Sequence, residues 1–301
     1  MNTFNIESPL FLGMDSVAVV GGAGYIGSHV VKLLLEQGLS ILVIDNLSEG
    51  HVEHVLGGTF VKADIADTET LTTLFLQYAV STVMHFAGRC YVGESMQNPS
   101  LYYENNVVKT YQLLEAVKNC QIPSFIFSSS CAIYGTPEYV PIAENHPYSP
   151  ISCYGKTKLM IEYMLEDYAK AYSSFHYVSL RYFNAAGAEP TGRIGEKHQP
   201  ETHLIPLALE TALGKYPYLE VYGKDYPTPD GTCIRDYIHV EDLAQAHLLA
   251  LKYLKAEKKS DVFNLGNGKG YSVQEVITTA QQVTEKEISI KESPRRLGDP
   301  P

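Results

Sequence analysis

The sequence predicts an α/β fold, a parallel sheet flanked by helices with a smaller mixed region toward the C-terminal end. Two observations carry this. Short apolar runs alternate with longer amphipathic stretches from residue 17 to residue 182, the spacing of strands and crossover helices in a sheet covered on both sides. Beyond Asn184 the rhythm breaks, and glycines and prolines crowd residues 187–231. In chain order, residues 17–20 form a short buried strand and 28–36 the helix after it. Ser40 to Asp45 is a second strand ending in an acid, and Thr59 to Lys62 a third, leading into Asp64-Ile65. Residues 68–77 are helical, Ser81 to Phe86 is the fourth strand, and 100–118 form a long helix with an apolar stripe. Ser124 to Ser129 is the fifth strand, 157–172 another helix, and Tyr177 to Tyr182 the sixth strand. A helix over 240–254, a strand over 261–265 and a helix over 273–283 complete the pattern.

Composition narrows the function. The chain has 301 residues and is 45% hydrophobic, enough for one large domain or two smaller ones sharing a cleft. The net charge is -11, and no long basic run occurs, which excludes nucleic acid as a partner. No stretch has transmembrane length and uniform apolarity, so no membrane partner is expected. The first 13 residues lack a positive segment and a long apolar run and read as an N-terminal extension, not a signal peptide. Five cysteines stand at 90, 120, 131, 153 and 233, none in a Cys-x-x-Cys pair. That usage predicts a reduced, cytoplasmic protein without structural zinc. The ten histidines show no metal-ligand spacing, so no metal is expected.

The run Val17-Ala18-Val19-Val20-Gly21-Gly22-Ala23-Gly24-Tyr25-Ile26-Gly27-Ser28 sends an apolar strand straight into a Gly-x-x-Gly-x-x-Gly turn and then a helix. That order cradles a dinucleotide pyrophosphate, because the turn brings backbone close to the phosphates and the helix N-terminus supplies N–H groups. The sheet is therefore expected to be Rossmann-like. Asp45 follows Gly27 by 18 residues and suits a ribose diol while repelling a 2′-phosphate, which favours NAD over NADP. Asp64 and Ile65 are placed beside the adenine, and Phe86-Ala87-Gly88 where a ligand crosses the sheet edge.

A second signal lies at Tyr154-Gly155-Lys156-Thr157-Lys158. Tyr154 and Lys158 share one face at a helix start. A free phenol titrates near 10; bringing it close to neutral takes about 4 kcal/mol, which a buried ammonium and a nicotinamide cation can supply. Ser128-Ser129-Ser130 ends the fifth strand, and Ser130 is the serine expected to share the hydrogen bond to a reacting oxygen. Ser128 and Ser129 are expected to be structural or cofactor-facing. No Gly-x-Ser-x-Gly elbow surrounds them, which counts against a hydrolase. His239 precedes a predicted helix and reads as a structural hydrogen-bonding group.

These residues resemble the extended short-chain dehydrogenase/reductase superfamily, and within it the UDP-glucose 4-epimerase family. The likeness runs from Met14 to Asp299. It rests on the glycine turn, Asp45-Asn46-Leu47, His85-Phe86-Ala87-Gly88, Val92-Gly93-Glu94-Ser95, Tyr103-Glu104-Asn105-Asn106 and the serine and tyrosine–lysine motifs. Further matches are Leu180-Arg181-Tyr182-Phe183-Asn184, Arg235-Asp236-Tyr237-Ile238-His239-Val240 and Pro294-Arg295-Arg296-x-Gly298-Asp299.

The resemblance implies tightly held NAD, regenerated in each turnover, and reversible C4 epimerisation of UDP-galactose and UDP-glucose through a 4-keto intermediate. Tyr154 would take the O4 proton while C4 gives hydride to nicotinamide, with Ser130 bonded to O4 and Lys158 tuning Tyr154. Tyr25, Ile26, Asn46, Asn105, Ser128 and Tyr182 would join the glycines and Asp45 around the cofactor. Asn184, His203, Leu204, Tyr222, Arg235, Arg295 and Asp299 match positions around the UDP-sugar. Arg235 and Arg295 suit a diphosphate, whose oxyanions match a guanidinium fork. Residues 14–184 would form the NAD-binding domain and 185–301 mainly a substrate-binding region, with 239–266 returning to the first domain. A homodimer is implied, through the helices carrying 100–118 and 157–172.

The chain departs from the family in three places. Cys90 stands where many relatives have lysine, and His203 where an asparagine is common. Relatives also continue for a few dozen residues past the equivalent of Pro301, and that tail carries a gate residue beside the sugar. Competing readings are another NAD-dependent nucleotide-sugar epimerase, dehydratase or decarboxylase, and a catalytically silent NAD-binding protein. Cys131-Ala132 after Ser130 counts against a dehydratase, which would want an Asp-Glu pair there.

Overall fold

The computed structural model describes residues 16–296. The extension over residues 1–13 and Asp299 lie outside them. The strands are Ser16–Val20 (β1), Ser40–Asp45 (β2), Thr59–Lys62 (β3), Val80–His85 (β4), Ser124–Ser130 (β5), His176–Tyr182 (β6), Asn184–Ala186 (β7), Leu219–Tyr222 (β8), Ile234–His239 (β9), Asp261–Leu265 (β10), Gly270–Ser272 (β11) and Ile290–Ser293 (β12). The α-helices are Tyr25–Glu36 (α1), Thr68–Gln77 (α2), Val92–Gln97 (α3), Pro99–Tyr102 (α4), Lys109–Asn119 (α5), Cys153–Ala171 (α6), Leu204–Ala212 (α7), Val240–Glu257 (α8) and Val273–Thr284 (α9).

Seven strands form one sheet in the order β10-β6-β5-β4-β1-β2-β3, and every pairing is parallel. Parallel strands need long crossovers, so helices cover both faces, and the central strands β1 and β5 are buried along their whole length. On one face Val30, Val31 and Leu34 of α1 and Leu243, Leu248 and Leu251 of α8 pack on Val17, Val19 and Val43. On the other, Leu71 and Phe75 of α2, Leu113 and Val117 of α5, and Ile161 and Leu165 of α6 pack on Ala18, Val83 and Phe125. Each such side chain contributes roughly 1.5–3 kcal/mol on burial. The strand order reverses between β1 and β4, and ligands of open α/β sheets bind at the carboxyl ends of strands at such a point.

Three helices depart from expectation near the site. Helix α1 begins at Tyr25, directly after Gly24, and α6 begins at Cys153 because the Ser152 side chain caps it by accepting Gly155 N–H at 3.0 Å. The long helix expected over 100–118 is interrupted by a π-helical turn, Tyr103–Val108, that buries Asn106.

The irregular region contains two small sheets, β11-β9-β7 and β12-β8. Its own core is Ala208 and Ala212 of α7, Leu219 and Val221 of β8, Ile277 and Ala280 of α9, and Ile288. Between these pieces the chain revisits the large sheet, where β10 pairs with β6 and α8 lies against α1.

Candidate active site

The glycine turn closes where two strand ends meet. Gly21 sits at φ +76°, and a Cβ there would lie 2.4 Å from Ala87 N, so the loops after β1 and β4 touch backbone to backbone. At Gly27 a Cβ would fall 2.3 Å from Gly21 O. No side chain caps α1 at Gly24, leaving the first N–H groups and the positive end of the helix dipole at the cleft. Gly27→Val should therefore open the turn; we expect at least a tenfold loss of NAD retained per folded chain, read by releasing nucleotide from purified protein.

Asp45 ends β2 and is buried. Its Oδ2 accepts Ala23 N–H at 3.0 Å and its Oδ1 accepts Leu47 N–H at 2.8 Å. Burial pushes its pKa up, against the pull of these backbone bonds. The carboxylate thus braces the glycine turn and retains lone pairs for a ribose. Asn46 Nδ2 and Lys109 Nζ each donate to Asp64 Oδ2 at 2.8 Å. Burial raises the Asp64 pKa, but the bonds from Lys109, Ala66 and Asn46 outweigh it and hold the acid below its ordinary value. Ile26, Ile65, Phe86, Ala87, Gly88 and Asn105 line the same cleft. Tyr25 lines it too, but its phenol crosses over to donate to Gly187 O at 2.5 Å.

The chemical groups meet at the end of β5. Tyr154 and Lys158, on adjacent turns of α6, are both buried. Lys158 Nζ donates to Ser128 O at 2.6 Å, and stands 4.9 Å from the Phe127 ring centroid and 5.7 Å from that of Tyr154. Burial raises the Tyr154 pKa above its usual value, and a hydrogen bond from Ser130 partly offsets this. The Ser128 hydroxyl bonds the Tyr182 phenol. Ser129 instead donates to Glu162 at 2.5 Å, on the far side of the strand. His239 caps α8, its Nδ1 accepting Glu241 N–H at 3.2 Å.

Desolvation lowers Lys158 from 10.5 to about 8, equivalent to roughly 3 kcal/mol against the ammonium. For a base with a depressed folded pKa, that cost is full below pH 8 and disappears as pH rises toward 10.5. In protein stripped of nucleotide, Lys158→Met should raise Tm by a few degrees at pH 7, with the advantage shrinking above pH 8. Melting curves of both proteins across that range check this.

The cleft, about 1350 Å³, exceeds the roughly 300–1,000 Å³ of a single small-ligand site and has room for two nucleotides. Asn184, His203, Leu204, Tyr222 and Arg235 line its other wall. Asn184 Nδ2 donates to Asp236 O at 3.1 Å, and Arg235 Nη1 to Ile234 O at 2.8 Å. Arg295 requires a correction. Its Nε donates to Asp225 Oδ1 at 2.7 Å, its guanidinium covers the Tyr226 ring at 4.2 Å, and it does not line the cleft. Arg296 does, with its guanidinium 4.0 Å from the centroid of Tyr222. The nearby Asp225 decides which of two adjacent arginines turns outward.

Three further features escaped sequence reasoning. Asn106 ties the loop after β4 to α6: its Oδ1 accepts Arg89 N–H at 2.9 Å, and its Nδ2 donates to Arg89 O at 3.0 Å and Thr157 Oγ1 at 3.2 Å. An asparagine pair inside an apolar helical stripe is the signal that points to it. Arg181 of β6, wholly buried, holds Glu162 of α6 with Nε–Oε1 3.0 Å and Nη2–Oε2 2.5 Å. Finally, folding gathers Glu196, His198, Glu201 and His203 beside the cleft. Burial opposes charge on the two imidazoles, but the Glu196 and Glu201 carboxylates outweigh it and raise both to about 9.

A glycine cradle sealed against Cβ atoms, a carboxylate at the end of β2 and a buried Ser130–Tyr154–Lys158 set fit NAD and define an NAD-dependent enzyme of the short-chain dehydrogenase/reductase type. The model of the NAD dependent epimerase/dehydratase family matches residues 17–266. The chain belongs to that family, and within it to the UDP-glucose 4-epimerases. It is 51% identical to the UDP-glucose 4-epimerase of Halalkalibacterium halodurans, over 95% of this chain and 85% of that protein. The crystal structure of UDP-glucose 4-epimerase from Brucella ovis in complex with NAD superposes with a TM-score of 0.92 at 52% identity, covering 95% of this chain and 88% of that one. The enzyme from Bifidobacterium longum in complex with NAD+ and UDP gives 0.90 at 37% identity, with 95% and 88% coverage.

Proposed function

We propose that this chain interconverts UDP-galactose and UDP-glucose by C4 epimerisation through a 4-keto sugar, and that the buried Ser130–Tyr154–Lys158 set at the mouth of the nucleotide cradle carries the chemistry. NAD held in the cradle would supply the redox chemistry, as hydride acceptor from the sugar C4 and hydride donor to the ketone. Tyr154 accepts the O4 proton as the C–H bond breaks and gives it back when the ketone is reduced, so no net proton or electron is consumed. Ser130 orients O4 against the phenol. Lys158 lowers the cost of the phenolate through its charge, which a dry site makes effective. Gly21, Gly24, Gly27, Tyr25 and Ile26 hold the pyrophosphate, and Asp45, Asn46, Asp64 and Ile65 the adenosine end. Phe86, Ala87, Gly88, Asn105, Ser128 and Tyr182 surround the remainder. Asn184, His203, Leu204, Tyr222 and Arg235 take the UDP-sugar, with Arg296 at the diphosphate.

Residues 14–184, with 239–266, serve the cofactor, and the rest of 185–301 mainly serves the substrate. The working form is a cytoplasmic homodimer. Val108, Tyr111, Met160 and Tyr163 are exposed on and beside α5 and α6, an apolar face suited to a twin copy. All five cysteines are unpaired, as a reducing compartment requires, and no helix among the described residues is long and apolar enough to cross a membrane.

The test is conversion of UDP-galactose to UDP-glucose by purified chain with no NAD added. Conversion supports an epimerase with retained cofactor. Folded, NAD-loaded protein that converts neither sugar, while acting on a UDP-uronic acid or a UDP-N-acetylhexosamine, would replace this reading.

A further inference from the structure

The segment 196–203 crosses the irregular region beside the cleft, and its four ionisable side chains turn toward one point. One ligand-capable atom from each of Glu196, His198, Glu201 and His203 lies within 4.8 Å of every other. His203 Nδ1 stands 2.8 Å from Glu196 Oε1 and 2.9 Å from Glu201 Oε1. His198 Nδ1 stands 3.3 Å from Glu196 Oε1 and 3.8 Å from Glu201 Oε2. Four donors 2.0–2.2 Å from a tetrahedral ion are separated from one another by about 3.3 Å. These separations bracket that value, so small side-chain rotations suffice to seat an ion.

Hydrogen bonding among the four is incomplete. A single N–H of His203 is asked to serve two carboxylates. His198 Nδ1, although buried, has no well-aligned partner. Both carboxylates are over nine-tenths buried, at 9% and 8% exposure. A divalent cation at the centre would engage all four at once. The surroundings already hold the ligands in place. Thr202 N–H and His203 N–H donate to Glu201 Oε1 at 2.7 and 2.8 Å. The Tyr91 ring packs against His198 and His203 at 5.9 and 6.2 Å, and the Tyr25 ring against His198 at 6.5 Å. Such outer contacts orient metal ligands.

We propose that Glu196, His198, Glu201 and His203 form a binding site for one divalent transition cation of the zinc type, which fixes the conformation of segment 196–203. Two imidazoles and two carboxylates suit Zn2+ better than Mg2+ or Ca2+, which prefer oxygen alone. With Nδ1 on the ion, His203 keeps Nε2 as its remaining polar atom. His203 is shared with the UDP-sugar site of the proposed function, so metal binding is read apart from epimerase activity, by calorimetry and spectroscopy.

The experiment uses the full chain, treated with chelator and dialysed, and titrated calorimetrically with ZnCl2. One equivalent should bind, Tm should rise with the metal, and both His198→Ala and Glu196→Gln should bind at least tenfold more weakly. Co2+ in the same protein should give the visible bands of a four-coordinate ion without a thiolate charge-transfer band, which separates this site from the cysteines. No saturable binding, undiminished binding in either folded variant, or a thiolate band would overturn the proposal. If His198→Ala does not fold, Glu196→Gln and the Co2+ spectrum of the unaltered chain decide it.

Discussion

Tyr154→Phe should lower kcat by about 10²–10⁴ while leaving bound NAD in place. The substitution removes one oxygen and keeps the ring, which is packed in the cluster with Tyr102 and Cys153, so folding is preserved. The lost oxygen is the group that must carry a proton. Burial, with smaller contributions from Cys90, Tyr182 and Cys131, holds that proton on the phenol, and a hydroxyl bond from Ser130 is the counterweight already present in the protein. Lys158, with its Nζ 5.7 Å from the ring centroid, and the charge of the bound cofactor must supply the rest. Ser130→Ala should cost less, about tenfold to a hundredfold, because it tunes the acid without replacing it. The measurement is the UDP-galactose conversion rate divided by NAD content released on denaturation. A Tyr154→Phe protein that keeps its NAD and more than about a tenth of the original rate would remove Tyr154 from the role of proton carrier.

Arg181→Leu should destabilise the fold by about 3–5 kcal/mol, and Glu162→Leu by a similar amount, since each strands a buried opposite charge. Arg181 is 1% exposed and Glu162 6%. Its guanidinium also donates to the phenols of Tyr134 and Tyr148, each at 2.8 Å, and to Glu144 O at 3.1 Å. Ser129 donates to the same Glu162. Removing the arginine therefore leaves several acceptors unsatisfied at once. The double variant Arg181→Leu/Glu162→Leu should lose less than the sum of the singles, because no lone charge remains. Urea unfolding of all four proteins gives the coupling energy. Single variants that cost under about 1 kcal/mol would show that water reaches the pair. This pair also bolts α6 to β5 and β6 one turn away from Lys158, so the weakened proteins should lose activity before they unfold.

The first half of the chain was legible because two-sided burial writes its strands as apolar runs and its crossovers as amphipathic ones. The strands at 17–20, 40–45, 59–62 and 124–129 and the glycine cradle needed nothing beyond local pattern. Past Asn184 four of the strands, β7, β8, β11 and β12, have only three or four residues, too short for a period of two to show. The π-helical turn was hidden because a single extra residue shifts the apolar stripe without breaking it. Arg295 and Arg296 could not be told apart from sequence: the choice depends on Asp225, 70 residues away. Arg181 and Glu162 are likewise joined only by the packing of α6 on β6, 19 residues on in the chain. The four donors between 196 and 203 sit in a segment without regular structure, where spacing carries no geometry.

Tyr25 sits in the first turn of the helix that cradles the cofactor, yet its phenol is anchored to Gly187 on the opposite wall. Nearby, His51 Nε2 meets Lys197 O at 3.0 Å and Lys197 Nζ meets Glu53 at 2.9 Å. The two walls of the cleft are therefore laced together. Retention of the dinucleotide then becomes a matter of residence time as well as affinity. Bonds that must part before a bound dinucleotide can leave would lengthen its stay, and a catalyst that must hand back the same hydride it took gains most from a slow exit.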